Sequence, residues 1–165
     1  MDKKYKLTDE TIEVDGKTLH RIVALKDFSN VIKGEIGGFI ESEKNLSHDG
    51  NCWVYPGAKV YDNAIVTGNA KVFEDAIIQH NAEVYGNAEV YGNVRVCNSG
   101  KIYDNAHVYG KVSVYDKSRI KKNAKVYGNL SLYKKVIICG EAEVYGSISI
   151  YGNIKIDNDS KIFNV

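Results

Sequence analysis

From residue 51 onward the chain repeats a six-residue pattern of apolar and polar positions with no insertion or deletion. The pattern begins NCWVYP, GAKVYD, NAIVTG and continues through nineteen hexads to DSKIFN. The fourth position is aliphatic in every hexad, the second is mostly alanine or another small or apolar residue, and the third and fifth are mostly polar or aromatic. This alternation predicts a short strand in each hexad, with positions two and four facing inward and positions three and five facing outward.

The sixth and first positions predict a corner between successive strands. They are rich in glycine, asparagine and aspartate, which tolerate positive φ and form turns. Three strands and three corners close a coil of 18 residues, and coils stack at about 4.8 Å in a solenoid. The nineteen aliphatic side chains at position four, worth roughly 1.5–3 kcal/mol each when fully buried, supply a continuous core.

The V-Y-G-N-A-x text resembles the hexapeptide repeat of left-handed parallel β-helix proteins. The resemblance covers residues 51–165 and implies an all-β solenoid of about six to seven coils. The left hand comes from the resemblance, because the general crossover rule favours the right. The opening, KYKLTDETIEVDGKTLHRIVALKDF and then GEIGGFIESEKNLSHDGNCWV, looks like uncharacterised hexapeptide-repeat proteins of bacteria, phages and prophages, often labelled transferases. That label is an analogy of fold and does not establish chemistry.

The sequence before the repeat predicts two further parts. Asp15-Gly16, between two strand-like runs, is a strong two-residue hairpin signal. Extending the hexad phase backward places Ile36, Ser42 and His48 at the inward fourth position of an irregular coil. The predicted parts are a small N-terminal β-hairpin cap at 1–32, an irregular first coil at 33–50 and the regular β-helix at 51–165. The last coil has no cover, which predicts either end-to-end pairing with another copy or an edge protected by charges.

Because a coil holds three hexads, every third hexad lies on the same face. The first face has an aromatic residue at every fifth position, and we call this column the aromatic ladder: Tyr55, Phe73, Tyr91, Tyr109, Tyr127, Tyr145 and Phe163. The second face ends in an uncharged Ser/Tyr field: Ser113, Tyr115, Ser131, Tyr133, Ser149 and Tyr151. A field depleted in charge is typical of an interface core. The alternative is that stacked tyrosines only stabilise the solenoid.

The charge of the chain is uneven, although its formal net charge of +1 indicates no partner. Residues 111–136 contain eight basic residues and one acid. Six of the basic residues form a basic patch around the third face: Lys117, Arg119, Lys121, Lys122, Lys134 and Lys135. The patch predicts a phosphate-bearing partner, a nucleic acid or an acidic host protein. The alternative is that these side chains only keep the solenoid soluble.

Several classes of protein are disfavoured by what the sequence lacks. No apolar stretch is long enough for a signal peptide or a membrane span, which predicts a cytoplasmic protein, in the host cytoplasm if phage-encoded, with no membrane partner. Cys52, Cys97 and Cys139 are widely spaced and predict three free thiols without a disulfide framework or a zinc site. No glycine-rich phosphate loop is present, and no cofactor or metal is predicted.

The sequence assigns no histidine a catalytic role. Hexapeptide acyltransferases, which the repeat resembles, hold a catalytic histidine in a cleft between subunits of a trimer and bind substrate with an extruded loop. The nineteen hexads contain no such loop. His80 and His107 are one and a half coils apart, so they cannot share a metal within one chain, and no supporting group is placed beside either.

Two hypotheses of function follow. The leading one is a non-enzymatic binding protein of phage or prophage type. It would self-associate as a dimer or trimer, side by side or through its C-terminal end, and engage a host macromolecule through its rigid faces. The alternative is a coenzyme A-dependent acyltransferase of the hexapeptide class. The missing loop and the unsupported histidines favour the first and incline the prediction against an enzyme.

Overall fold

The chain winds into a parallel β-solenoid of about seven turns in a computed structural model that describes residues 2–164. Its strands are β1 Tyr5–Val14, β2 Lys17–Ala24, β3 Ile36–Ile40, β4 Trp53–Val54, β5 Lys59–Val60, β6 Ile65–Val66, β7 Lys71–Val72, β8 Ile77–Ile78, β9 Glu83–Val84, β10 Glu89–Val90, β11 Arg95–Val96, β12 Lys101–Ile102, β13 His107–Val114, β14 Arg119–Ile120, β15 Lys125–Ile138, β16 Glu143–Ile156 and β17 Lys161–Asn164. One short 3₁₀ helix, Glu43–Asn45, precedes β4. No helix within residues 2–164 is long and apolar enough to cross a membrane.

Parallel pairing of residues 18 apart defines the regular part of the solenoid. β4 pairs with β7 through Val54 and Val72, and the same offset continues to β16 and β17, where Val144 pairs with Ile162. From Val54 to Val144 every side chain at the fourth position is completely buried, and most second positions hold a buried alanine between them. The parallel β-solenoid predicted from the hexads is therefore confirmed, and so are its inward fourth positions from Val54 to Val144.

Asparagine ladders hold one of the corner columns together. The Asn69 side-chain amide donates to Asn87 Oδ1 at 3.0 Å, Asn87 donates to Asn105 at 2.9 Å, and Asn105 donates to Asn123 at 3.0 Å. Each amide thereby satisfies the next along the solenoid axis, as in other stacked parallel strands. The corners that the sequence predicted from turn residues are therefore also points of attachment between coils.

The N-terminal segment forms the predicted hairpin. β1 and β2 pair antiparallel, and both turn residues, Asp15 at φ 51° and Gly16 at φ 74°, have the positive φ that a type I′ turn requires. β3 pairs antiparallel with β2 and parallel with β5, so it joins the hairpin to the solenoid. The boundaries of the cap and first coil at residues 32 and 50 remain predictions.

The hexad phase does not extend into the first coil, and that prediction was wrong. Ile40 and Leu46 occupy the inward place that Ser42 and His48 were predicted to hold, and each pairs with a fourth-position valine twenty residues later. Ile36, also predicted to face inward, is 52% exposed. The physical reason is that the corner before β4 holds two more residues than a regular corner.

This longer corner closes around a buried lysine. Lys4 Nζ donates to the carbonyl oxygens of Cys52 at 2.9 Å and Gly50 at 3.2 Å, and lies 3.3 Å from the Cys52 sulfur. It also lies 5.1 Å from the centre of the Phe28 ring. Lys4 is only 1% exposed, and burial lowers its pKa. The Lys4 ammonium, which directly precedes β1, thus joins the start of that strand to the solenoid through backbone carbonyls.

We expect Lys4→Met to lower the free energy of unfolding by about 1–3 kcal/mol, because the buried carbonyls lose their donor. Urea or thermal unfolding measures the change. Lys3→Met is the matched control: Lys3 pairs with Glu43 at 2.7 Å but is 54% exposed, so its loss should cost less than about 1 kcal/mol. Equal losses for the two variants would contradict the anchoring role of Lys4.

Candidate functional site

The aromatic ladder lies on one face of the solenoid, as the 18-residue coil predicts. Its rings are Tyr55, Phe73, Tyr91, Tyr109, Tyr127, Tyr145 and Phe163, with neighbouring centroids 4.7–5.8 Å apart. From Phe73 onward neighbouring rings lie within 12° of parallel. From Phe73 to Tyr145 the stacked rings cover one another's faces, so they present mainly their edges to solvent. The ladder therefore stabilises the solenoid. It lies beside the third-position side chains of the same face.

A histidine–carboxylate pair lies beside the ladder on this face. His107 Nδ1 is 3.4 Å from Glu89 Oε2, and Glu89 Oε1 is 3.6 Å from Lys71 Nζ. The His107 side chain is 40% exposed and that of Glu89 32%, so a substrate can reach both. Lys125 pairs in register with His107 on the next coil. The imidazole therefore lies beside the Glu89 carboxylate, and the residue in register on the next coil is a lysine.

The backbone fixes this pair in place. The His107 N–H donates to the Ala124 carbonyl at 3.0 Å, and the Glu89 N–H donates to the Ala106 carbonyl at 3.0 Å. The 3.4 Å between His107 Nδ1 and Glu89 Oε2 is an ion-pair distance when the imidazole carries a proton on both nitrogens.

Sequence reasoning placed no supporting group beside His107, and the structure corrects this. Glu89 precedes His107 by one 18-residue coil and occupies the same third-position column. The 18-residue register was the feature of the sequence that could have shown Glu89 and His107 to be neighbours. His80 lies at a corner and has other partners. Its backbone N–H donates to Asp62 Oδ2 at 3.0 Å, and its ring Nδ1 accepts from the backbone N–H of Asn98 at 3.3 Å. These contacts explain His80 as part of the corner.

The second carboxylate of this column is engaged differently. The Tyr127 hydroxyl donates to Glu143 Oε1 at 2.6 Å, and this hydrogen bond raises the pKa of Tyr127 to about 12. Lys161 Nζ lies 3.8 Å from the other oxygen of Glu143. Glu143 thus contacts Tyr127 and Lys161. On this face Glu89 is the carboxylate that lies beside a histidine.

The Ser/Tyr field is assembled by the same register. Ser113, Ser131 and Ser149 pair with one another on successive coils. Beside them Tyr115, Tyr133 and Tyr151 stack with centroids 4.9 and 4.5 Å apart. Tyr151 is 58% exposed, whereas the first two pairs of Ser and Tyr are half-buried. The role of the Ser/Tyr field as an interface remains a prediction.

The rest of the second face is buried although its side chains face outward. Tyr61, Gln79 and Cys97 stand at fifth positions but are only 2%, 7% and 2% exposed. The Tyr61 hydroxyl is hydrogen-bonded to Asp15 Oδ2 at 2.7 Å and to Gln79 Oε1, and the Gln79 amide donates to the Cys97 sulfur at 3.1 Å. Tyr61 packs with Leu19 of the hairpin in a cluster outside the solenoid core, so the cap covers an outward side chain there.

The basic patch is spread over a face and two corners. Its six members are Lys117, Arg119, Lys121, Lys122, Lys134 and Lys135, and all are exposed except Lys121, which is half-buried. Lys121 Nζ lies 5.8 Å from the Tyr103 ring centre, and none of the six forms an ion pair within 4 Å inside the described part of the chain. Whether the patch binds a phosphate-bearing partner stays a prediction.

The three cysteines are buried free thiols, and burial raises the pKa of each. Within residues 2–164 no group of three or more His, Cys, Asp or Glu side chains is arranged to hold a metal ion. Two histidine–carboxylate pairs lie within the described residues: His107 with Glu89 on the first face, and the less exposed His48 with Glu43 in the first coil.

The hexad text and the parallel pairing of residues 18 apart together decide the type of protein. The chain is a hexapeptide-repeat β-solenoid protein. It is 35% identical over 74 residues to a protein named "Uncharacterized acetyltransferase YdcK" from Escherichia coli (strain K12). The match covers 39% of this chain and 23% of that protein, so the chain spans less than a quarter of the relative's length. No protein-family model matches the chain.

The relative's name contains a transferase activity, and nothing in the comparison points to a phage-type binding protein. Self-association and a host partner remain predictions of the sequence.

Proposed function

We propose that the chain transfers an acyl group from a coenzyme A thioester to a small acceptor, with His107 as general base. The observation that carries the proposal is the exposed His107 imidazole 3.4 Å from Glu89 on a rigid solenoid face. The partial similarity to a protein named as an acetyltransferase supports the class of reaction. Glu89 is a positioning residue, because it touches His107 and not the reacting atoms.

The pair is suited to the proton transfers of acyl transfer. His107 Nε2 takes the proton of an acceptor hydroxyl or amine as that group attacks the thioester carbonyl. A C–O or C–N bond forms, the C–S bond breaks, and the imidazolium returns the proton to the departing thiolate. The Glu89 carboxylate holds the ring and stabilises the imidazolium during the step.

Lys125 lies where negative charge develops. It occupies the coil after His107 in the same column, about 4.8 Å further along the solenoid axis. An ammonium at this place stabilises the oxyanion of the tetrahedral intermediate. Lys71 Nζ lies 3.6 Å from the other oxygen of Glu89, on the coil before it.

A second copy of the chain completes the site in this proposal. The His107 side chain is 40% exposed on an open face, and an open face does not exclude water from a reacting thioester. Proteins that the repeat resembles hold their catalytic histidine in a cleft between subunits. The proposal therefore includes a homo-oligomer with the first face at a subunit boundary.

The test is release of free thiol from acetyl-CoA in the presence of a panel of amine and hydroxyl acceptors. We expect binding of acetyl-CoA by calorimetry and thiol release that depends on an acceptor, and light scattering should report more than one subunit. No binding of acetyl-CoA at millimolar concentration, together with no thiol release above the rate in buffer, would overturn the proposal.

A further inference from the structure

The basic patch differs from the coils on either side of it because its cations have no carboxylate partner. In the third-position column of the third face, Lys101 on the coil before the patch pairs with Glu83 at 2.7 Å. Lys155, on the coil after it, pairs with Asp157 at 2.6 Å. The six cations of the patch lie on the two coils between and form no ion pair within 4 Å inside residues 2–164. Free positive charge on a rigid face favours an anionic partner.

The cations form a row across the face and a cluster at one corner. Arg119 and Lys121 are alternate residues of one hexad, about 6.6 Å apart at the usual rise per residue. At the corner the backbone N–H of Lys117 donates to the carbonyl of Lys134 at 2.8 Å, which holds these two cations on successive coils. The carboxylate of Asp116 lies at the same corner and accepts the backbone N–H of Lys134 at 2.8 Å. A row of this kind suits an anion with repeated charges.

A stack of two tyrosines continues from the patch along the solenoid axis. Lys121 Nζ lies 5.8 Å from the ring centre of Tyr103. Tyr103 stacks on Tyr85 with centroids 4.7 Å apart and planes 7° from parallel. The next residue of this fifth-position column is Thr67, which has no ring. The stack therefore ends in an aromatic face that no further ring of the column covers.

A depression with a volume of about 400 Å³ lies at this end of the stack. It is lined by Ile65, Thr67, Glu83 and Tyr85. Ile65 is 41% exposed, so one wall of the depression is apolar and open to solvent. The Glu83 carboxylate is paired with Lys101 and leaves no isolated negative charge there. The two apolar surfaces suit a flat ring such as a nucleobase.

We infer that the third face binds a single-stranded nucleic acid. The cations of the basic patch bind its phosphates, and one unpaired base stacks on Tyr85 in the depression. Tyr85 and Lys121 are two coils apart in one column, roughly 10 Å along the solenoid axis, so a strand that runs along the axis reaches both. A base in a duplex is already stacked on its neighbours. An acidic protein would contact the cations and leave the depression empty.

The inference goes beyond the proposed acyl transfer and does not depend on it. The His107–Glu89 pair lies on the first face, whereas the patch and the tyrosine stack lie on the third. Thiol release from acetyl-CoA therefore tests the proposed function alone, and binding of nucleic acid tests this inference alone.

The test is fluorescence anisotropy of a labelled oligodeoxythymidylate of about ten nucleotides, titrated with the full chain at several salt concentrations. We expect log K to fall linearly with the logarithm of the salt concentration, with a slope of about −0.7 for each phosphate contacted. Arg119→Gln and Lys134→Gln, both at exposed positions, should each weaken binding and reduce the slope by about 0.7. Lys44→Gln, at an exposed lysine on the 3₁₀ helix, is the control and should leave affinity and slope unchanged.

The stacking of a base is tested separately from the phosphate contacts. Tyr85→Ser should weaken binding about tenfold with the salt slope unchanged, because a stacked base is lost and no phosphate contact is. Tyr85→Phe keeps the ring and should bind as the wild type does. Tyr151→Ser, in the stack of the second face, is the matched control and should leave the affinity within about twofold. With the unsubstituted chain, an oligonucleotide that carries 5-iodouracil should cross-link to Tyr85 on irradiation, as identified by mass spectrometry.

Several outcomes would overturn the inference. They are no binding of the oligonucleotide at about 50 mM salt, equal affinity in Arg119→Gln and the wild type, or cross-links that avoid Tyr85. Tighter binding of a duplex of the same length would assign the patch to double-stranded nucleic acid. Binding of polyglutamate in place of the oligonucleotide would assign it to an acidic protein.

Discussion

Replacing His107 by alanine is expected to lower kcat for acyl transfer by about 10²- to 10⁴-fold, because the reaction loses its general base. KM for the thioester should change little, since His107 is proposed to take the proton of the acceptor and not to bind the thioester. Added imidazole should restore part of the rate in the variant, because the alanine leaves room for a free base. The measurement is initial-rate thiol release at saturating acceptor.

Three further variants separate catalysis from stability. His80→Ala is the matched control: His80 contacts corner groups only, so its loss should leave kcat within about twofold. Glu89→Gln should lower kcat with KM unchanged, and Glu89→Asp should recover part of the loss. Equal loss in His107→Ala and His80→Ala, or no recovery with imidazole, would contradict the assignment of His107.

Most of the solenoid could be predicted from the sequence because its physical rule is local. Each hexad contains its own inward aliphatic residue and its own corner, and the coil length follows from three of them. The register of the aromatic ladder and of the Ser/Tyr field then follows without further information. The Asp15-Gly16 turn is equally local, since both residues accept the positive φ of a type I′ turn.

The parts that could not be predicted depend on contacts far apart in sequence. The phase changes before β4 in a corner that closes around Lys4, more than forty residues earlier, and no pattern within the corner indicates this. Tyr61 is buried because the hairpin turn at Asp15 reaches it. A repeat shows where a side chain points, but not what a distant segment places over it.

The candidate site was missed for another reason. The columns derived from the hexads already placed Glu89 and His107 on adjacent coils, but their pairing depends on the side-chain conformations that bring the two atoms to 3.4 Å. Those side-chain conformations are not contained in the alternation of apolar and polar positions.

Alkaline solution is expected to unfold the solenoid cooperatively, with the steepest loss of stability between about pH 10 and 12. Burial raises the pKa of five tyrosines above the ordinary value of about 10: Tyr5, Tyr61, Tyr85, Tyr91 and Tyr109. The hydrogen bond to Glu143 raises that of Tyr127 to about 12. The folded state therefore holds these protons more tightly than the unfolded chain does.

The sign of the effect follows from that difference. A raised pKa contributes stability that is complete below the unfolded value and is lost as the pH rises through the folded value. Burial raises the pKa of the thiols of Cys52, Cys97 and Cys139 as well, so the loss begins near pH 9. Lys4 acts in the opposite direction. Burial lowers its pKa in the folded state, so the free energy of unfolding rises with pH until the pH reaches the ordinary pKa of a lysine. One such group does not offset the tyrosines and thiols.

Circular dichroism and the absorbance of tyrosinate near 295 nm measure the transition together. We expect the buried tyrosines to ionise in the same step in which the β-sheet signal is lost. Glu143→Gln removes the carboxylate that holds the Tyr127 proton, so the pH dependence of stability above pH 10 should become less steep in that variant. Tyrosines that all ionise near pH 10 with the β-sheet signal unchanged would show that the stacked rings are open to solvent and would contradict this account of the ladder.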